Sequence, residues 1–268
     1  MNRGHTGIEI AELIEMPPAL DRAWHTHGYY GSVSHNVKAI YQRYLGWFDG
    51  NPAHLWEHPP AARATRYVEC MGGAATVLDA ARSYLDAGDL RFAAELLNHV
   101  VFADESNTTA RELLASTYER LAHGAENATW RNFYLSGALE LRDGVQRSPG
   151  TARSLDILLA LSVEQLFDGI AVRVDGPRAW DEHLVIDWRV IDDDRTYRTT
   201  LRNGVLVTRT DPPPGDVDLT LSLTRVQLLG VLGGAGLDGI DASGDRDALA
   251  RLLGVVDHPS GAFPIVTS

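Results

Sequence analysis

Apolar residues recur at helical spacing through the first half of the chain. Residues 6–14 predict a short helix, which Pro17 and Pro18 end because proline cannot continue the backbone hydrogen-bond ladder. Residues 37–47 predict a second helix, with apolar or aromatic side chains along one side and Ser34 or Asn36 as its cap.

Farther along, the same spacing predicts a set of antiparallel helices. Their expected ranges are 63–87, 90–103, 110–123 and 129–143. Gly72 and Gly73 lie near the middle of the first range, where they indicate either a close-packing point or a break. The helices around 79–97 resemble one tetratricopeptide-type pair, but solenoids need at least three repeats. We therefore predict a compact helical bundle.

After residues 144–149 the periodicity changes. Residues 151–168 still predict a helix, but the chain then alternates between apolar and polar residues, which indicates strands at 184–190, 197–201, 205–208 and 217–223. Asn203-Gly204 is a strong hairpin signal, and Thr224 begins another helix. The fold class is thus α followed by α+β, a helical bundle and then a small antiparallel-sheet domain. We predict an N-terminal extension with the first helices at 1–60, a helical domain continuous with it at 61–144, and the α+β domain at 145–268.

Charge and cysteine content narrow the function classes. With 36 acidic and 24 basic residues the net charge is -12, which argues against nonspecific binding to nucleic acid or anionic membranes. Cys70 is the only cysteine, so no intrachain disulfide or thiolate metal cluster can form. We find no secretory signal and no apolar run long enough for a membrane span. The expected location is the cytoplasm.

The stretch 25–52 is the densest cluster of glycine, aromatic, histidine and asparagine residues in the chain. Gly-permitted backbone beside aromatic residues with polar groups is typical of a ligand-facing loop, although an aromatic-rich packing helix is an equal alternative. The residues concerned are Tyr29, Tyr30, His35, Asn36, Tyr41, Tyr44, Trp47 and Phe48.

No metal site or catalytic set can be assembled from the residues. His25 and His27 form an H-x-H pair and His54 and His58 are spaced i, i+4, but neither pair has the carboxylates of a zinc motif. Ser34 and His35 lack an orienting carboxylate, and no G-x-S-x-G motif is present.

The segments GIEIAELIEMPPAL and WHTHGYYGSVSHNVKAIYQRYLGWFDGNPAHL resemble the region after the catalytic domain in linear alkyl sulfatases of the metallo-β-lactamase superfamily. The helical part is similar to that family's dimerisation domain, and the tail to its C-terminal domain of sterol-carrier-protein-like fold. The resemblance implies zinc-dependent hydrolysis of alkyl sulfate esters to alcohol and sulfate. Because the family's zinc ligands lie in an N-terminal domain that is not in this sequence, we expect no zinc site, no catalytic residue and no activity in this chain alone. Its abrupt beginning fits this interpretation.

The resemblance also implies a substrate-binding loop that supplies one wall of the sulfate pocket. The matching residues are Tyr29, Tyr30, Ser34, His35 and Asn36, and His27 stands where a basic residue is frequent in the family. The implied partners are a second copy of the chain bound through the helical domain, an alkyl sulfate or long-chain aliphatic ligand, and a separate metallo-β-lactamase-like domain.

The apolar residues of the second domain have two interpretations. They line a groove for an aliphatic chain, or they fill an ordinary core. The residues are Leu184, Ile186, Trp188, Val190, Leu206, Leu219, Leu221, Leu223, Leu228, Leu229, Val231 and Leu232. Two alternative functions remain open, a stand-alone noncatalytic dimer that binds lipid or alkyl ligands and a helical interaction module.

Overall fold

The computed structural model describes residues 1–145, 155–258 and 261–267. The described residues form two compact units. One takes in those of 1–147 together with those of 262–268, and the other takes in those of 148–261. In the described part, no helix is both long enough and apolar enough to cross a membrane.

The first unit begins with three helices, α1 (Gly7–Leu13), α2 (Pro18–Asp21) and α3 (Val33–Leu45). The short helix predicted at 6–14 is confirmed, and a capping box formed by Thr6 and Glu9 begins it. The prediction for α3 was wrong at its start, because the helix begins four residues earlier. Its cap is the Ser32 hydroxyl, which accepts from the His35 amide at 3.1 Å, so Ser34 and Asn36 lie inside the helix.

The predicted helix at 63–87 is two helices, α4 (Pro60–Cys70) and α5 (Ala74–Ala87). Gly72 and Gly73 adopt φ values of 92° and 94°, a region that other residues rarely enter. The break alternative was therefore the right one.

Three further helices complete the bundle, α6 (Leu90–Ala103), α7 (Thr108–Gly124) and α8 (Ala128–Asp143). Side chains of Asp89, Asn107 and Asn127 cap their N-termini. Helical spacing in the sequence predicts that Phe92 and Phe133 lie on the inner sides of their helices, but both are exposed, at 39% and 69%. The core consists mainly of small and aliphatic side chains: Val77, Ala81, Leu97, Val100, Val101, Ala110, Leu114, Ala115, Ala138 and Leu141.

The last described residues also pack on this bundle. Glu140 accepts hydrogen bonds from the amides of Ile265 and Val266 at 2.8 and 2.9 Å. Gly137 leaves room for Val266, since a Cβ at position 137 would lie 3.3 Å from its methyl group. No local pattern in the sequence indicated this contact.

The second unit has helices on a five-stranded sheet. In chain order, its elements are α9 (Leu155–Ala160), α10 (Val163–Ala171), β1 (His183–Val190), β2 (Arg195–Arg202), β3 (Val205–Thr210), β4 (Leu219–Leu223), α11 (Arg225–Leu232), β5 (Asp241–Gly244) and α12 (Asp247–Gly254). The predicted helix at 151–168 is thus divided where Ser162 caps α10, and its first residues lie outside the described part. Most of the predicted boundary at 144–149 lies outside it too.

The strand order is β3-β2-β1-β4-β5. The hairpin at Asn203-Gly204 is confirmed, with both residues at positive φ as a type I′ turn requires. The prediction of a purely antiparallel sheet was wrong for one pair of strands, because β4 runs parallel to β1. After the edge strand β3 the chain crosses to the other side of β1, where β4 pairs with β1 and runs parallel to it. The sheet is therefore mixed. β5 was not assigned from the sequence, since its four residues show no apolar alternation.

The core of the second unit lies between this sheet and its helices. Trp188 is fully buried, and its indole N–H donates to the Thr199 hydroxyl at 2.9 Å. Phe167 packs at 5.3 Å from the Trp188 ring. The residues considered for an aliphatic groove are buried here or packed against this core. They therefore fit the alternative in which they fill an ordinary core.

Candidate functional site

The Gly/Tyr loop before α3 is held on the N-terminus of α8. The Tyr29 carbonyl accepts from the Ala128 amide at 2.7 Å, and the Tyr30 carbonyl accepts from the Thr129 hydroxyl at 3.0 Å. The Asn127 amide donates to the Gly28 carbonyl at 3.3 Å while its oxygen caps α8. Because an N-terminal helical turn has free donors, it satisfies loop carbonyls that would otherwise lack partners.

His27 lies between two hydrogen-bond acceptors. Its Nδ1 is 2.8 Å from a Glu126 carboxylate oxygen, and its Nε2 is 2.7 Å from the Asp21 carbonyl. Donation to both acceptors requires a proton on each nitrogen, so this geometry favours the charged imidazolium form of His27. The Glu126 hydrogen bond, followed by that to Asp21, raises the pKa of His27. As an anion contact, His27 would have to exchange one of these partners.

His35 has the opposite environment. The Trp130 indole N–H lies 3.0 Å from His35 Nδ1. An indole nitrogen can only donate, so Nδ1 accepts and the proton of the neutral ring is on Nε2. The Lys38 ammonium lies over the Trp130 ring, 5.6 Å from its centroid, within the range of a cation–π interaction.

A cavity of about 1020 Å³ opens beside this loop. Its cationic lining consists of His27, Lys38, Arg91 and Arg120. Arg91 is paired with Glu12 at 3.2 Å, whereas no carboxylate of the described residues lies within ion-pair distance of Lys38. Other lining residues are Glu12, Met16, Asp21, Thr26, Gly28, Gly31, Ser32, Val33, Ser34, Asn36, Leu90, Leu121, Gly124, Ala125, Glu126, Asn127, Trp130 and Tyr134.

The six residues assigned to substrate binding are only partly brought together. His27, Ser34 and Asn36 line the cavity. Tyr29 and Tyr30 expose 45% and 85% of their surface and contribute backbone carbonyls to the loop contact. His35 joins the group through Trp130. Their role in binding stays a prediction.

Several cavity residues were missed by sequence reasoning, among them Lys38, Arg91, Arg120, Asn127 and Trp130. Two of them carried a signal. Lys38 is the only lysine in the chain, and Asn127 precedes a predicted helix as a cap would. The others come from α6, α7 and α8, and no local pattern connects those helices with residues 25–36.

The donors of this region do not fit a zinc ion. No group of three or more His, Cys, Asp or Glu side chains converges as a metal site in the described ranges. His27 uses both ring nitrogens on Glu126 and Asp21, and His54 Nδ1 is 2.7 Å from Asp49. Zinc coordination requires a free, unprotonated imidazole nitrogen, whereas both nitrogens of His27 contact these acceptors.

Comparison with known proteins gives the family. Residues 6–144 match the family model for alkyl sulfatase dimerisation, and residues 151–268 match the alkyl sulfatase C-terminal model. A linear primary-alkylsulfatase from Pseudomonas sp is 44% identical over 99% of this chain and 41% of its own length. The alkyl/aryl-sulfatase BDS1 of Saccharomyces cerevisiae is 40% identical over 99% of this chain and 42% of its own length.

A solved structure agrees with these matches. The stereoselective inverting sec-alkylsulfatase Pisa1 from Pseudomonas sp. superposes with a TM-score of 0.95 at 39% identity, over 100% of this chain and 43% of that one. The chain spans about two-fifths of the length of the curated relatives it matches. The chain therefore belongs to the alkyl sulfatase family, of which it carries the dimerisation and C-terminal domains.

Proposed function

We propose that this chain supplies the dimerisation and substrate-binding portion of an alkyl sulfatase, an enzyme that hydrolyses alkyl sulfate esters to an alcohol and sulfate. The loop 25–36 and its cavity form one wall of the sulfate pocket. The observation that carries this proposal is the cavity beside that loop, in which Lys38 and Arg120 face the space while His27 and Arg91 are paired with Glu126 and Glu12. It lies inside the region matched by the dimerisation model. Zinc chemistry belongs to a part of the enzyme outside these residues.

The charges of the cavity suit a sulfate monoester. A monoester has one negative charge spread over three terminal oxygens, so it needs a few well-placed donors rather than a large basic patch. Lys38 offers an ammonium with no competing carboxylate among its described neighbours. Arg120 offers a guanidinium that, within the described part of the chain, makes one hydrogen bond, a 3.5 Å contact to the Leu85 carbonyl. Both are available to an anion.

The N-terminal helices supply the proposed dimer contact. None of the residues of α3 is buried, although Gly7 of α1 packs against its Tyr41. We call the exposed apolar side chains here the N-terminal apolar surface: Ile8, Leu13, Ile14, Ile40, Tyr44, Leu45 and Trp47. An apolar side chain of this size contributes about 1.5–3 kcal/mol when it is fully buried. A cluster of this kind is typical of a protein–protein contact, and the dimerisation model covering it favours a second copy.

The sequence led us to expect the dimer contact in 61–144. We propose that it lies instead in 1–60, which is continuous with that bundle; the exposed residues of the N-terminal apolar surface support this. The proposed alkyl-chain site in the second unit rests on the resemblance to a sterol-carrier-protein-like fold alone, because the residues first considered for its groove belong to the core.

Binding of hexyl sulfate tests the sulfate-pocket proposal. In an NMR titration, resonances of residues 27–38 and 120–134 should shift, and Lys38→Met should weaken binding about tenfold, since a charge-assisted hydrogen bond contributes about 1.5–3 kcal/mol. Arg66→Met is the matched control, because it removes one exposed cation of the same unit that does not line the cavity. Equal weakening by both variants, or shifts confined to other residues, would count against the proposal.

Turnover tests whether the chain is a portion of the enzyme. The purified chain, incubated with zinc and dodecyl sulfate, should release no sulfate. Sustained sulfate release with zinc bound in stoichiometric amount would show that the chain is an enzyme in itself, and the portion proposal would be wrong.

Sedimentation tests the dimer contact. Tyr44 is 74% exposed in the single chain and would be buried in the proposed dimer. Tyr44→Asp should therefore weaken the dimer at least tenfold, because it would bury a charge in the contact. Leu139→Asp, at a 46% exposed position of α8, is the matched control and should leave the dimer intact. A monomeric wild-type chain at micromolar concentration would exclude this surface as a homodimer contact.

A further inference from the structure

A hydrogen bond connects Trp130 of α8 with His35 at the start of α3, and in it the histidine is the acceptor. His27 is held by an acceptor, the Glu126 carboxylate. His35 is held by a donor instead, the indole N–H at 3.0 Å from Nδ1. This contact spans 95 positions of the chain.

The donor decides where the His35 proton is. With Nδ1 occupied as an acceptor, the neutral ring carries its hydrogen on Nε2. Among the described residues, no hydrogen-bond partner of Nε2 is found, and His35 is exposed. The Nε2–H group is therefore available to an acceptor from outside this part of the molecule.

Trp130 itself is held firmly. Its amide donates to the Asn127 side chain at 2.8 Å as part of the α8 cap. One face of its ring has the Lys38 ammonium above it at 5.6 Å, and its edge approaches the His35 ring at a centroid distance of 6.3 Å. One side chain thus contacts both a cation and a histidine of α3, which lie three residues apart and on the same side of that helix.

We propose that Trp130 is a positioning residue that holds His35 as the Nε2–H tautomer and holds Lys38 beside it, so that a neutral donor and a cation meet the sulfate group together. This inference rests on the proposed function, since it assigns the acceptor as a sulfate oxygen. Trp130 acts through its two neighbours and need not touch the substrate.

The test uses the full chain with ¹⁵N-labelled histidine. Long-range ¹H–¹⁵N spectra should show His35 in wild type with the proton on Nε2 only. Trp130→Phe keeps a ring beneath Lys38 but removes the indole N–H, so the Nδ1–H tautomer should appear alongside, and the affinity for hexyl sulfate should fall about tenfold. Trp56→Phe makes the same change at a side chain that is 96% exposed, and should alter neither.

A double-mutant cycle separates positioning from a structural role. His35→Gln keeps a donor close to the Nε2 position and has no tautomer to select, so adding Trp130→Phe to it should cost little further affinity. An equal loss from Trp130→Phe in both backgrounds would overturn the proposal, as would a wild-type His35 protonated on Nδ1. If wild type shows the Nε2–H tautomer but does not bind hexyl sulfate, the proposed function fails while the positioning by Trp130 stands.

Discussion

Asn127 ties the loop to α8 through both ends of its side-chain amide, and replacing it measures how firmly the loop is held. Its oxygen accepts from the Trp130 amide at 2.8 Å, and its nitrogen donates to the Gly28 carbonyl at 3.3 Å. The residue is 5% exposed, so water cannot readily replace either partner. Asn127→Ala removes both interactions at once.

The expected loss follows from these two contacts. Removing an N-cap side chain costs about 1 kcal/mol, within a range of about 0.5–2 kcal/mol. Losing the hydrogen bond to the Gly28 carbonyl adds about 1 kcal/mol to the loss of stability, since alanine offers that carbonyl no donor. Asn127→Ala should therefore lower the free energy of unfolding of the first unit by about 2 kcal/mol. Asn127→Ser keeps a capping oxygen and loses only the second contact, so about 1 kcal/mol is expected.

Two measurements check this. Urea denaturation gives the free energies, and hydrogen exchange followed by mass spectrometry reports residues 25–36 separately. Exchange in that segment should be faster in Asn127→Ser while the bundle helices remain protected. If Asn127→Ala costs less than about 0.5 kcal/mol, or if the serine variant loses as much as the alanine variant, the side chain does not link loop and helix as described.

Three further predictions concern single contacts. His27 has a raised pKa, so its stabilisation of the loop is complete below its ordinary value of about 6.5 and is lost as pH rises through the raised pKa. Protection of the amides of 25–36, measured relative to their intrinsic exchange rates, should fall over that interval, and His27→Gln should abolish that fall. Asp187 accepts from Arg198 at 2.7 and 2.8 Å with both side chains largely buried, so Asp187→Ala should cost about 2–4 kcal/mol in urea denaturation, and Asp187→Asn less. Gly204→Ala should cost about 1–3 kcal/mol, because φ is +74° and the new Cβ would lie 2.8 Å from the Gly176 carbonyl, whereas Gly254→Ala meets open space and should be neutral in the same assay.

Local chemistry made much of the fold predictable. The helix at 90–103 follows from Asp89 as a cap and from apolar residues at helical spacing, and its bounds agree with the structure. The Asn203-Gly204 turn is fixed by two residues that tolerate positive φ. At Gly72-Gly73 the sequence indicated the special position but not the outcome, because a glycine pair suits both a close contact and a break.

What depends on distant contacts could not be predicted. The direction of β4 depends on which side of β1 the chain reaches after β3, and alternation within a strand does not specify that. The cavity was equally hidden, since it needs Arg91, Arg120 and Trp130 from three helices to meet the loop. The resemblance supplied the loop as a candidate, whereas its partners came only from the fold.

The N-terminus of α8 presents opposite hydrogen-bonding groups to His27 of the loop and to His35 of α3. Glu126 and Trp130 are four residues apart, and one presents an acceptor to His27 while the other presents a donor to His35. Nδ1 of the first ring therefore donates and Nδ1 of the second accepts. In the proposed pocket, His27 is paired with Glu126 and Arg91 with Glu12, which leaves Lys38 and Arg120 to face a sulfate monoester. An Nε2–H donor at His35, as we propose, would orient the sulfate group without adding charge, so we expect the identity of residue 130 to matter to binding as much as that of any residue in the loop.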